Sequence, residues 1–125
     1  MDVCLMPFIK VKTSCPITEK QEAAIKSRIG KAIELVPGKS EAYLLLEFED
    51  NCRLWLRGHN DEPIAYIEAA VFASESHCGH NALTSELTKI FEEILNLQKD
   101  HIYIKYEDII AWGVQGMLID RNQYW

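Results

Sequence analysis

A chain of 125 residues, 48% of them apolar, has the material for one domain with one buried core. Thirteen lysines and arginines against 19 aspartates and glutamates give a formal charge of -6 with no basic cluster, so nucleic acid is not an expected partner, because binding phosphate needs a positive footprint. No apolar stretch approaches the roughly 20 residues of a membrane span, and the opening Met1-Asp2-Val3-Cys4 has no signal-peptide pattern; the expected setting is cytoplasmic, with any release from the cell independent of a signal peptide.

Phe8-Ile9-Lys10-Val11-Lys12 turns from an apolar run to alternation and is stopped by Ser14-Cys15-Pro16, which predicts a first strand opening at Pro7. Thr18-Glu19-Lys20-Gln21 has the form of a capping box, in which the threonine hydroxyl accepts from the Gln21 amide and the glutamine side chain reaches back, so a helix is expected there. Ile25, Ile29, Ala32, Ile33 and Val36 form its buried stripe, and Pro37-Gly38 supplies the stop. Ala42 to Phe48 reads as a largely buried second strand ended by Glu49-Asp50-Asn51-Cys52, and Arg53 to Arg57 as a brief edge segment. Beyond the loop from Gly58 to Pro63, Ile64 to Phe72 is a long apolar strand, and Ser74 to His80 is a further loop. Leu83, Leu87, Ile90, Phe91, Ile94 and Leu95 share one face of a second helix, with Asn81 as its cap. Ile102 to Glu107 is a last strand whose alternation sets Tyr103 and Lys105 against Ile102, Ile104 and Tyr106.

Two βαβ units thus follow one another about sixty residues apart. Right-handed crossovers then give an α+β fold, a four-stranded mixed sheet with both helices on one face. The other face is uncovered and is expected to carry apolar residues from Ala65 to Val71, which subunit contact would bury. Cys4, Cys15, Cys52 and Cys78 lie far apart without a C-x-x-C pair and read as reduced thiols.

From Met6 onward the ordered features resemble the macrophage migration inhibitory factor family of the tautomerase superfamily. Met6-Pro7-Phe8-Ile9 matches the family's Met-Pro and first strand, Gly38-Lys39 its glycine-lysine after the first helix, with Tyr43 soon after, and Glu62-Pro63 its third strand's opening. His101 to Asp108, then Ala111-Trp112-Gly113, are similar to its Tyr-bearing last strand and the turn beyond. The resemblance implies a tautomerase-like domain over residues 7–120, between an extension of residues 1–6 and a tail of residues 121–125. It also implies a homotrimer whose sheets form a central barrel, with active sites between subunits, and keto-enol tautomerisation of a small acid such as phenylpyruvate or dopachrome, without metal or organic cofactor.

In that reading Pro7 is the general base: a free secondary amine whose protonated form is disfavoured by burial and by the Lys39 ammonium can move a proton at carbon. By itself, Pro7 marks only a place where a strand can start. While Met1 to Met6 precede it, its nitrogen is an amide with no basic lone pair, so a start at Met6 followed by methionine removal, or a fold kept without the chemistry, are the two expectations. The resemblance assigns Lys39 to the substrate carboxylate, the backbone amide near Phe72 to a further substrate contact, and Tyr103 to a contact from the neighbouring subunit. On their own these are a helix C-terminal cation, a core residue and a strand aromatic. Lys105 stands where the family more often has asparagine and adds a second cation, or is a solvated strand lysine. Val114 stands where an aromatic often lines the pocket, with Trp112 as its substitute. Ile64-Ala65-Tyr66-Ile67 replaces the C-x-x-C of some members, so thiol-disulfide activity is not expected.

His77-Cys78-Gly79-His80 packs three potential ligands into four residues, too tightly to surround zinc, and no second ligand pair has a matching spacing. Neither G-x-S-x-G nor a glycine-rich nucleotide motif occurs. The alternative to catalysis is a noncatalytic trimer that binds or signals. Proline-dependent decarboxylation or dehalogenation would add arginines to the pocket, and Arg53 and Arg57 are not obviously placed for it.

Overall fold

A computed structural model describes residues 7–72 and 76–124, with the backbone alone at 123 and 124. The expected N-terminal extension, Cys4, Ser74 and Trp125 lie outside the described residues.

The first strand, β1 (Phe8–Thr13), is followed by helix α1 (Glu19–Ala32), strand β2 (Leu45–Glu49), strand β3 (Ala65–Phe72), helix α2 (His80–Leu95) and strand β4 (Ile102–Ile109). The sheet order is β2-β1-β3-β4, with β1 parallel to β2, β3 parallel to β4, and β1 antiparallel to β3. Two βαβ units therefore meet along the β1–β3 seam, as their sequence pattern predicts.

The capping box forms as expected: the Gln21 amide donates to Thr18 Oγ1 at 3.1 Å, and the Thr18 amide donates to Gln21 Oε1 at 2.9 Å. Ile25 and Ile29 of α1, and Leu83, Leu87, Ile90 and Phe91 of α2, are fully buried against Ile9, Val11, Ala65, Ile67 and Val71 of the sheet. Each such large side chain contributes about 1.5–3 kcal/mol through the apolar surface it removes from water. Both helices lie on this one face. The alternation of β4 also holds, with Ile102, Ile104 and Tyr106 packed against the core and Tyr103 and Lys105 on the far face.

Four expectations need correction. The stretch expected as a buried second strand is divided: Glu41–Tyr43 is a 3-10 turn, and β2 alternates between exposed and half-buried residues because it pairs on one edge only. Arg53 to Arg57 makes no strand, only the bridge Leu56↔His59 around a tight turn. Helix α2 begins at His80 on Gly79, which has φ 79°, so Asn81 is inside the helix rather than its cap.

The uncovered sheet face, fourth, is charged rather than apolar. Strand alternation sends Ala65, Ile67, Ala69 and Val71 under the helices and leaves Tyr66 and Glu68 outward. By register, Glu47, Lys10, Glu68 and Lys105 form one rung of alternating charge across all the strands.

One element was not anticipated. After β4 the chain makes a separate hairpin, β5 (Ala111–Val114) with β6 (Met117–Asp120), then a short helix α3 (Arg121–Tyr124). Phe72 and Ile119, both fully buried, dock the hairpin on the end of β3, with Ile109, Trp112 and Val114 packed around them. The Arg121 amide donates to the Ile110 carbonyl at 2.8 Å, and its guanidinium pairs with Asp108.

Candidate active site

Pro7 is buried immediately ahead of β1, and its carbonyl accepts the Leu45 amide at 3.0 Å, which fixes it beside the start of β2. It lies in a cavity of about 240 Å³ lined by Pro7, Tyr43, Leu45 and residues 112–115. The hairpin supplies one wall through Trp112 and Val114, held by their packing on Phe72 and Ile119. Tyr43 and Leu45 supply the other and are 44% and 60% exposed, so the cavity opens on that side. An apolar wall against a buried proline favours the neutral form of an amine and excludes water from a proton transfer.

Lys39 is 7% exposed, and its Nζ donates to the Phe72 carbonyl at 3.4 Å. It does not line the Pro7 cavity; the link between them is Phe72, whose side chain packs with Trp112 and Val114 of the cavity wall. Its position follows from the turn after α1, where the Lys39 amide donates to the Val36 carbonyl at 3.1 Å. Phe72 is a fully buried core residue whose carbonyl accepts from Lys39 Nζ, and it does not itself line the Pro7 cavity.

Tyr103 and Lys105 stand elsewhere in the protomer. Both are on the open sheet face of β4, two strands away from β1, and neither lines the Pro7 cavity. Tyr103 is 52% exposed. Lys105 Nζ is 3.3 Å from Glu68 and 3.4 Å from Glu107, and hydrogen bonding to Glu68 first and Glu107 second raises its pKa. These residues can approach a Pro7 only from another copy of the chain.

The sequence left Leu45 and Gln115 out of the site. The only sequence signal for the hairpin was Gly116 between Ala111–Val114 and Met117–Asp120, since glutamine is not a favoured residue at the first position of a two-residue hairpin turn. A larger open cleft of about 650 Å³, lined by residues such as Cys15, Arg53, Trp55 and Asp61, lies at the other end of the sheet. Its carboxylates, Asp61 and Glu62, are exposed to water, whereas the smaller cavity sets a buried proline against an apolar wall and is the better candidate on that ground. Among the described residues no group of three or more His, Cys, Asp and Glu side chains could hold a metal ion. His80 instead seats the start of α2, with its ring 4.7 Å from that of Tyr106.

The sequence profile of the macrophage migration inhibitory factor (MIF) family matches residues 6–117, from the residue before Pro7 into β6. The chain belongs to the MIF family. The solved structure of MIF2 from Leishmania major superposes with a TM-score of 0.84 at 18% identity, covering 92% of this chain and 98% of that one. The MIF homologue of Prochlorococcus marinus gives 0.75 at 24%, covering 89% and 97%. Pt0534, solved after inactivation by 2-oxo-3-pentynoate, gives 0.80 at 13%, covering 94% and 99%. At these identities the likeness is one of fold. No curated protein sequence matches the chain. MIF membership supports a tautomerase-like or MIF-like function.

Proposed function

We propose that this MIF-family protein is a cofactor-free keto-enol tautomerase in which Pro7, with its nitrogen free, is the general base for a small 2-oxo acid. The observation that carries the reading is the burial of Pro7 in an apolar cavity beneath Trp112 and beside Leu45. There the free amine takes a proton from the carbon next to the substrate carbonyl, the carbonyl oxygen takes one from water at the open side or from the protonated amine to give the enol, and ketonisation runs the same transfers in reverse. Lys39 binds the carboxylate after leaving the Phe72 carbonyl, and the backbone at Phe72 makes a further contact. The inactivation of Pt0534 by a 2-oxo acid supports the substrate class.

The assembly we propose is a homotrimer around a central barrel, with Tyr103 and Lys105 brought to each site from the neighbouring subunit. Exposed apolar groups on the edge strand, the hairpin and the bend before it, Leu45, Met117, Leu118 and Ile110, supply contact surface, while the charged sheet face suits a solvated barrel interior. The domain would run over residues 7–120, and the setting would be cytoplasmic, consistent with the lack of any helix long and apolar enough to cross a membrane among the described residues.

The test is ketonisation of phenylenolpyruvate by protein beginning with free Pro7. Pro7→Gly should lower the rate by about 10²-fold or more, and Lys39→Met should raise KM. Equal activity in the Pro7→Gly protein would remove Pro7 from the mechanism. One observation favours a second reading: joined to Met6, the Pro7 nitrogen is an amide. A noncatalytic trimer that binds or signals would keep residues 1–6, and the intact mass of native protein would then show Met1 or Asp2 first.

A further inference from the structure

The turn joining β5 and β6 has two residues, Gln115 and Gly116, between the paired Val114 and Met117. Both have positive φ, 55° and 78°, the geometry of a type I′ turn. Asparagine, aspartate or glycine suits the first of these positions, and glutamine adopts it only under strain. The strained residue is one of those that line the Pro7 cavity. Strain of this kind persists where surrounding structure holds it, and it concentrates at functional sites.

A second two-residue turn provides a comparison. Arg57-Gly58, between Leu56 and His59, also has positive φ at both residues, 51° and 82°. There the long side chain is used within the chain, since the Arg57 guanidinium is 3.3 Å from Asp100. Gln115 has no such use: its carboxamide makes no hydrogen bond among the described residues. It is exposed at the rim, whereas Pro7 is buried. Most of the remaining lining is apolar or aromatic, so the carboxamide is one of few polar groups that a ligand meets there.

We infer that Gln115 is a specificity-determining contact of this site, hydrogen-bonding an oxygen on the part of the substrate farthest from the carbon that exchanges its proton. The inference rests on the tautomerase reading for the orientation of the substrate, acid group inward and distal group at the rim. A carboxamide donates and accepts, so it serves a hydroxyl better than a bare ring edge.

The test uses protein beginning at Pro7 and two acids that differ by one distal oxygen, phenylpyruvate and 4-hydroxyphenylpyruvate. The parent protein should prefer the hydroxylated acid by about fivefold in kcat/KM, the scale of one neutral hydrogen bond. Gln115→Gly should abolish that preference, losing about fivefold more kcat/KM on the hydroxylated acid than on phenylpyruvate, and melt at the same or a higher temperature, because glycine takes positive φ without strain. Gln115→Asn, which suits the turn and keeps the amide, should retain part of the preference. A structural role would give the opposite pattern, a lower melting temperature with equal losses on both acids. No preference in the parent, or the same preference in Gln115→Gly, overturns the inference. If the parent turns over neither acid, the tautomerase reading has failed, and calorimetric binding of the two acids then decides for Gln115. Tighter binding of the hydroxylated acid by the parent alone supports the contact, while equal binding or none refutes it.

Discussion

Replacing Gly79 with alanine tests how the start of α2 is seated against the chain that leads to Lys39. Gly79 has φ 79°, and a Cβ there would fall 2.2 Å from the Leu35 carbonyl oxygen and 3.1 Å from Val36 Cα. These are backbone atoms of the turn that runs on through Val36 to Lys39, so relief requires the turn itself to move. The left-handed conformation costs an L-residue roughly 1–2 kcal/mol. Forcing an extra methyl into packed structure costs about 1–3 kcal/mol more. A loss of about 3 kcal/mol lowers the melting temperature of a domain this size by roughly 12 °C. Gly116→Ala is the internal control, since Gly116 has φ 78° with nothing within 4 Å of the added atom. It carries the strain without the clash and should lose roughly 4–8 °C. Thermal unfolding followed by circular dichroism measures both, and equal losses in the two variants would refute the close approach of Gly79 to Leu35.

Three further outcomes follow from the packing and the charges. Thr18→Ala removes the capping-box acceptor for the Gln21 amide and should cost about 1 kcal/mol by denaturant unfolding, with the transition slope unchanged. Phe72→Ala empties the fully buried joint between β3 and the hairpin; it should cost about 3 kcal/mol and shift Trp112 emission to the red, and an unshifted spectrum would contradict that role. The Asp100 carboxyl is held below the usual carboxylate range, chiefly by its hydrogen bond from His101, then by the charges of His101 and Arg57. A lowered folded pKa gives stability that is present above the unfolded value and is lost as pH falls through the folded one. Carbon NMR titration should therefore find Asp100 protonating late on acidification, and His101→Gln should move its midpoint back up.

The two βαβ units were legible because each signal was local and agreed with its neighbours. The Thr18 capping box, the stripe from Ile25 to Val36 and the alternation from Ile102 to Tyr106 each name an element and its buried face. Edges were less legible. Ala42-Tyr43-Leu44-Leu45-Leu46 reads as a buried strand by composition, yet β2 has a partner on one side only, a property of sheet order that periodicity does not express. The open face was misjudged because the apolar run through β3 hides its alternation: Ala65, Ile67, Ala69 and Val71 fill the helix side while Tyr66, Glu68 and Ala70 face outward. Pro7, Lys39 and Phe72 are joined in one region of the protomer, and the family pattern had singled out all three. Gln115 escaped notice because its turn uses glutamine where asparagine would have announced a hairpin.

The most direct measurement compares tautomerase activity of the same chain with Pro7 as its first residue and with residues 1–6 still attached, both at matched oligomeric state. Proton transfer by Pro7 predicts ketonisation of phenylenolpyruvate by the first protein and none above background by the second, because only the first has a basic nitrogen in the cavity. Equal activity in the two, or an inert Pro7-first protein that is folded and assembled, would contradict it.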